Sequence, residues 1–107
     1  HHLGKITKDY FDANHQMFLD IYGYVLFRSG NLTLSFRVLQ AAISADDTYP
    51  WPYFHLALIY QRVGRLDIAR ALLFRIALNE RSDTVLKRLC QRRLEAIEVL
   101  PNQAPPS

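Results

Sequence analysis

Ser29-Gly30-Asn31-Leu32 and, 34 residues later, Val63-Gly64-Arg65-Leu66 decide the fold of this chain. Outward from these two stretches the match continues: Leu26 falls on Tyr60, Gly23 on Ala57, Ser35 on Ala69 and Leu39 on Leu73. Each unit thus carries a small residue, a large one, a turn glycine and another small residue at matching places. Two antiparallel helices packed closely account for the pattern, because the small residues let the backbones approach and the large ones fill the space between them. Gly30 and Gly64 stand where a helix must stop, since glycine enters the left-handed conformation without a side-chain clash. The first unit therefore runs from Gln16 to Tyr49 and the second from Pro50 to Asp83, each a helix, a short turn and a second helix. Pro50 and Pro52 fit the entry of a helix, where a missing amide donor matters little.

Beyond the second unit, Ser82-Asp83-Thr84 supplies capping side chains, and Val85, Leu86, Leu89, Ala96, Ile97 and Leu100 continue at helical spacing. Residues 84–100 are read as a fifth helix that covers the last apolar face of the repeat. Lys87, Arg88, Arg92, Arg93, Glu95 and Glu98 give it a charged outer side. Residues 1–15 form an N-terminal segment in which His1 and His2 look like the remnant of a purification tag, and residues 3–15 extend the first helix or make a short separate one. Residues 101–107, with three prolines, are expected to be a frayed tail.

Half of the 107 residues are hydrophobic, enough for one packed domain. The net charge of +3 is concentrated in the second half, where nine basic and three acidic residues lie between Tyr60 and Arg93. That bias permits an acidic partner or nucleic acid, and it equally describes a solvated face. A single cysteine, Cys90, excludes an intramolecular disulfide and suits a reducing compartment. No apolar stretch approaches the roughly 20 residues needed to cross a bilayer, and no signal-peptide pattern opens the chain, so a cytoplasmic location is expected.

The 34-residue period with paired small, large and glycine positions resembles the tetratricopeptide repeat over residues 16–83. Ser35 replaces that family's usual alanine, Leu19 and Tyr53 stand at its usual tryptophan position, and its terminal proline is missing from both units. The resemblance implies an all-α fold, a short right-handed α-solenoid of two repeats plus a capping helix. It also implies a concave surface lined by the first helix of each unit. The residues at the groove positions are Met17, Asp20, Tyr24, Phe27 and Arg28 in the first unit, and Trp51, Phe54, Leu58, Gln61 and Arg62 in the second. Aromatic, Met and Arg side chains of this kind are enriched where proteins hold partners. The alternative is that the aromatics pack between the repeat's own helices, above all Phe27 and Leu58. Members of the family that grip a terminal carboxylate use lysine and asparagine at positions held here by Asp20, Tyr24, Phe54 and Leu58. An apolar, aromatic or helical segment of another protein is therefore the expected cargo. Arg28, Arg62, Arg88 and Arg92 along the edge either meet acidic residues of that segment or are solvated or internally paired.

The implied role is a protein-binding adaptor, scaffold or chaperone. Tyr22-Gly23-Tyr24-Val25-Leu26-Phe27-Arg28-Ser29-Gly30 and Arg93-Leu94-Glu95-Ala96-Ile97 are also similar to stretches of the small cytosolic tetratricopeptide chaperones of bacterial type III secretion, which is kept as a narrower alternative. Nucleic-acid binding through the basic second half is a further alternative, disfavoured because no exposed aromatics interleave with its arginines. Two repeats are fewer than a solenoid usually needs, so a homodimer or an obligate complex is expected. No phosphate-binding loop, nucleophile motif or histidine pair at metal spacing occurs, and neither catalysis nor a cofactor is expected. His15 and His55 lie on different helices and are read as packed or solvent-facing. Asn31-Leu32-Thr33 matches a glycosylation acceptor but sits in the repeat turn. Cys90 is read as a buried small apolar residue, although Arg88 and Arg93 would lower an exposed thiol's pKa.

Overall fold

The computed structural model describes residues 2–103, with side chains described for residues 14–98. The described residues form five helices and no strand: α1 (His2–Arg28), α2 (Leu32–Ala45), α3 (Trp51–Arg62), α4 (Leu66–Leu78) and α5 (Thr84–Gln103). The chain is all-helical, as the pattern of apolar residues predicts. None of its described helices is long and apolar enough to cross a membrane.

The 34-residue period is realised in the backbone. α1 ends at Arg28 and α3 at Arg62, while α2 begins at Leu32 and α4 at Leu66. Gly30 has φ +90° and Gly64 φ +87°. Each glycine closes its helix with the same pair of hydrogen bonds. The Gly30 amide donates to the Phe27 carbonyl and the Asn31 amide to Leu26, at 3.0 and 2.9 Å; Gly64 donates to Gln61 and Arg65 to Tyr60, at 3.2 and 2.8 Å. This crossed pair satisfies carbonyls that a helix end otherwise leaves unpaired. Nothing lies within 4 Å of a Cβ built on either glycine, so an alanine there meets only backbone strain. Gly30→Ala and Gly64→Ala are each expected to destabilise the fold by about 1–2 kcal/mol, to the same extent, in urea titrations.

Inside the first hairpin Gly23 is the point of closest approach. A Cβ built on it would stand 2.6 Å from Leu39 Cγ and Cδ2. The Ser35 hydroxyl donates to the Gly23 carbonyl and is fully buried, tying α2 to α1 across the same contact. At the matching places of the second hairpin Ala57, Ala69 and Leu73 are all fully buried, as is Leu39 in the first. A single core runs through both hairpins and into α5, which contributes Leu86, Cys90, Leu94 and Ile97. α1 and α3 lie side by side in the same direction, since Asp20 meets His55 and Phe27 meets Arg62 at nearly constant offset.

Two expectations are corrected, and two readings left open are decided. Of the two arrangements open to residues 3–15, extension of the first helix is the one found: α1 runs unbroken for 27 residues, because no proline interrupts it before the glycine turn. α5 continues past Leu100 to Gln103, where a tail was expected from residue 101; residues 104–107 and His1 lie outside the described residues. Val85 and Ala96 are exposed, and Leu94 and Cys90 take the buried stripe with Leu86 and Ile97. That stripe repeats at intervals of four, four and three residues, the spacing of one helix face. Cys90 is fully buried, as read from the sequence, and burial pushes its thiol up to about 11.

Pro50 caps α3 with Pro52 in its first turn, as expected for helix entry. Asn31 accepts from the Leu34 amide at 3.3 Å and caps α2. Asp83 caps α5 by accepting from the Leu86 amide at 2.7 Å.

Candidate partner-binding cleft

α1, α3 and α5 together line a cleft of about 570 Å³, walled by Tyr24, Phe27 and Arg28, by Leu58, Gln61 and Arg62, and by Arg93. α2 and α4 contribute none of these residues. The sharing follows from the repeat: with α1 and α3 side by side and in the same direction, their last two turns face the same space. Six of the residues assigned to the groove from the sequence are brought together here. Phe27 and Leu58 are buried and form its floor; Tyr24 and Gln61 are half-buried; Arg28 and Arg62 are exposed at the rim.

Local contacts fix these side chains. Arg28 Nη1 donates to the Tyr24 hydroxyl at 3.2 Å, one helical turn away. The Arg62 guanidinium carbon lies 4.7 Å from the centre of the Phe27 ring, a cation–π contact worth roughly 0.5–1 kcal/mol at such an exposed site. Tyr24 stacks on His55 at 4.6 Å and lies 6.3 Å from Phe27. The Gln61 amide oxygen is buried with no hydrogen-bond partner among the described residues.

The other expected groove residues lie elsewhere. Trp51 is half-buried at the start of α3, its ring 6.0 Å from Phe54 and 5.9 Å from His55. Phe54 is only 6% exposed and belongs to the core, the outcome weighed above as packing between helices. Met17 is half-buried on α1, ahead of the cleft. Arg88 and Arg92 are exposed and do not reach the cleft; Arg93 does. The reason is the helical period. Each of Arg88 and Arg92 stands two residues after a buried one, Leu86 and Cys90, and so roughly 200° around the helix from it, whereas Arg93 flanks the buried stripe.

Asp20, also assigned to the groove, is buried instead and accepts a 2.7 Å hydrogen bond from His55 Nδ1. His55 is itself buried, between the rings of Tyr24, Trp51 and Phe54. The pair joins α1 to α3 beneath the aromatic layer. Nearby, burial pushes the Tyr49 phenol above its usual range and the Asp20 carboxylate adds to the rise. Removing one partner of a buried hydrogen bond leaves the other unsatisfied. Asp20→Ala is therefore expected to destabilise by about 1–3 kcal/mol, and Asp20→Asn, which keeps an acceptor oxygen, by less. Thermal melts of the two variants check the order, and equal losses would mean that the bond itself carries little.

Among the described residues no group of three or more His, Cys, Asp or Glu side chains is arranged to hold a metal ion. No protein-family model, curated protein or solved structure matches this chain.

Proposed function

We propose that this chain is a tetratricopeptide-type interaction module that holds a segment of another protein in the cleft between α1, α3 and α5. The observation that carries the reading is the convergence of Tyr24, Phe27, Arg28, Leu58, Gln61 and Arg62 on one open cleft. An apolar floor, half-buried polar side chains and an arginine rim form the kind of surface on which a few large side chains hold a partner. The near-identical glycine turns 34 residues apart support the repeat reading. Capture from the native lysate by the intact protein should be lost in a Tyr24→Ala, Gln61→Ala variant that keeps its helical circular-dichroism signal and a cooperative melt. Equal capture by both forms contradicts the reading. The identity of the captured protein separates a general adaptor from a chaperone of type III secretion substrates.

A second reading, self-association through α1, has its own observation. Ile21, Tyr22 and Val25 make an apolar stripe on α1 and are 50–56% exposed. One period later the same positions hold His55, Leu56 and Ile59, all buried in α3. A preceding hairpin covers that face of α3 and nothing described covers it on α1. A stripe of this size on a soluble chain marks a contact surface. A dimer by light scattering that becomes a monomer on Ile21→Glu, Val25→Glu substitution supports the reading, and a monodisperse monomer of the intact chain refutes it.

A further inference from the structure

The cleft carries three guanidinium groups, of Arg28, Arg62 and Arg93, from three different helices. Their neighbours leave them free to take an anion. Arg28 contacts a phenol and Arg62 a phenyl ring. Among the described residues none of the three is paired with a carboxylate, whereas Arg65 pairs with Asp67 and Arg70 with Glu98 elsewhere on the surface. Among the described residues no acidic side chain lines the cleft, and Asp20, the acidic residue expected there, is buried and engaged by His55. Three like charges gathered over an apolar floor repel one another and are stabilised by an acidic occupant; guanidinium forks match carboxylates in geometry.

We infer that the segment held in this cleft is acidic: a peptide that presents Asp or Glu side chains to Arg28, Arg62 and Arg93 while an adjacent large apolar side chain rests on Phe27 and Leu58. The inference rests on the cleft being the binding surface, as proposed above, and adds the chemistry of the partner. A nucleic acid would use the same positive charge, but it gains affinity by stacking bases on free aromatic faces. Here the aromatic faces are occupied: Tyr24 stacks on His55 and the Arg62 guanidinium covers Phe27. A floor with an aliphatic member, Leu58, suits an apolar side chain better than a base.

The test is selection of binders from an unbiased peptide-display library by the full chain and, in parallel, by the Arg28→Gln, Arg62→Gln, Arg93→Gln variant. These three side chains are exposed, so the variant folds. The pool selected by the natural chain is expected to be enriched in Asp and Glu beside Leu, Ile or Phe, and the variant's pool to keep the apolar preference without the acidic one. Peptides from the first pool should bind the variant about tenfold more weakly, the combined effect of three rim charges, and lose the salt dependence of their association. A first pool without acidic enrichment overturns the inference while leaving the cleft as a binding surface. Peptides that bind the Tyr24→Ala, Gln61→Ala variant as tightly as the natural chain, or a selection that returns no binder, overturn the cleft reading itself. Displacement of an acidic peptide by an equal concentration of single-stranded RNA shows a general polyanion site and also overturns the inference.

Discussion

Truncation after Asp83, which removes α5, is expected to abolish cooperative unfolding of the remaining residues. α5 buries Leu86, Cys90, Leu94 and Ile97, each at most 9% exposed. Full burial of a Leu or Ile side chain contributes about 1.5–3 kcal/mol, and the loss also bares the face of α4 against which these residues pack. A domain of this size has a total stability of about 5–15 kcal/mol. Loss of the terminal cap therefore removes most of the margin, as it does wherever an end repeat is left uncovered. Far-ultraviolet circular dichroism checks this. The expected result is a fall in helical signal well beyond the share of the 20 residues of α5, with no sigmoidal melt. A cooperative melt in which only that share is lost would show that α1 to α4 stand on their own.

Leu39→Ala and Leu73→Ala form the second large pair. Both side chains are fully buried, and they occupy matching positions in α2 and α4. Truncating a buried leucine costs about 2–5 kcal/mol, the spread reflecting how far the site collapses. The two substitutions are expected to fall in that range and close to each other, since the leucines stand one period apart: Leu39 packs against Gly23, and Leu73 is buried in the same core as Ala57, the residue one period after Gly23. Denaturant titrations measure this directly. A large loss at one position and none at the other would mean that the repeat of sequence is not a repeat of packing.

The two hairpins were legible because their signals are local. A glycine with positive φ closes each first helix, and small residues at fixed offsets bring the second helix against it. Both demands fall on single residue types and survive in the sequence as a period. The proline entry to α3 and the Asp83 cap of α5 are local signals too. The start of α1 was not legible, because nothing within residues 3–15 marks a boundary and the repeat unit itself begins at Gln16 by alignment alone.

The site was legible in part. Period and groove position placed Tyr24, Phe27, Arg28, Leu58, Gln61 and Arg62 together, since α1 and α3 are related by the repeat. α5 carries no such register, and the choice among Arg88, Arg92 and Arg93 depends on which face of α5 meets α4. Leu94, left out of the expected buried stripe, sets that face. The Asp20–His55 pair was missed for a different reason. Its partners are 35 residues apart, one period plus one, so the pair joins neighbouring units and leaves no mark inside either. An acidic residue on the inner helix with a histidine one step past its counterpart was the available signal.

The central claim, that a partner protein sits between α1, α3 and α5, is tested most directly by site-specific photo-crosslinking. A photoreactive residue replaces Gln61 inside the cleft or Glu80, which is exposed and outside it, and the intact protein is irradiated in its native lysate. The account predicts a discrete crosslinked product from position 61 that is absent from position 80 and disappears when unlabelled protein is added in excess. The same products from both positions, or a product from position 80 alone, would contradict it.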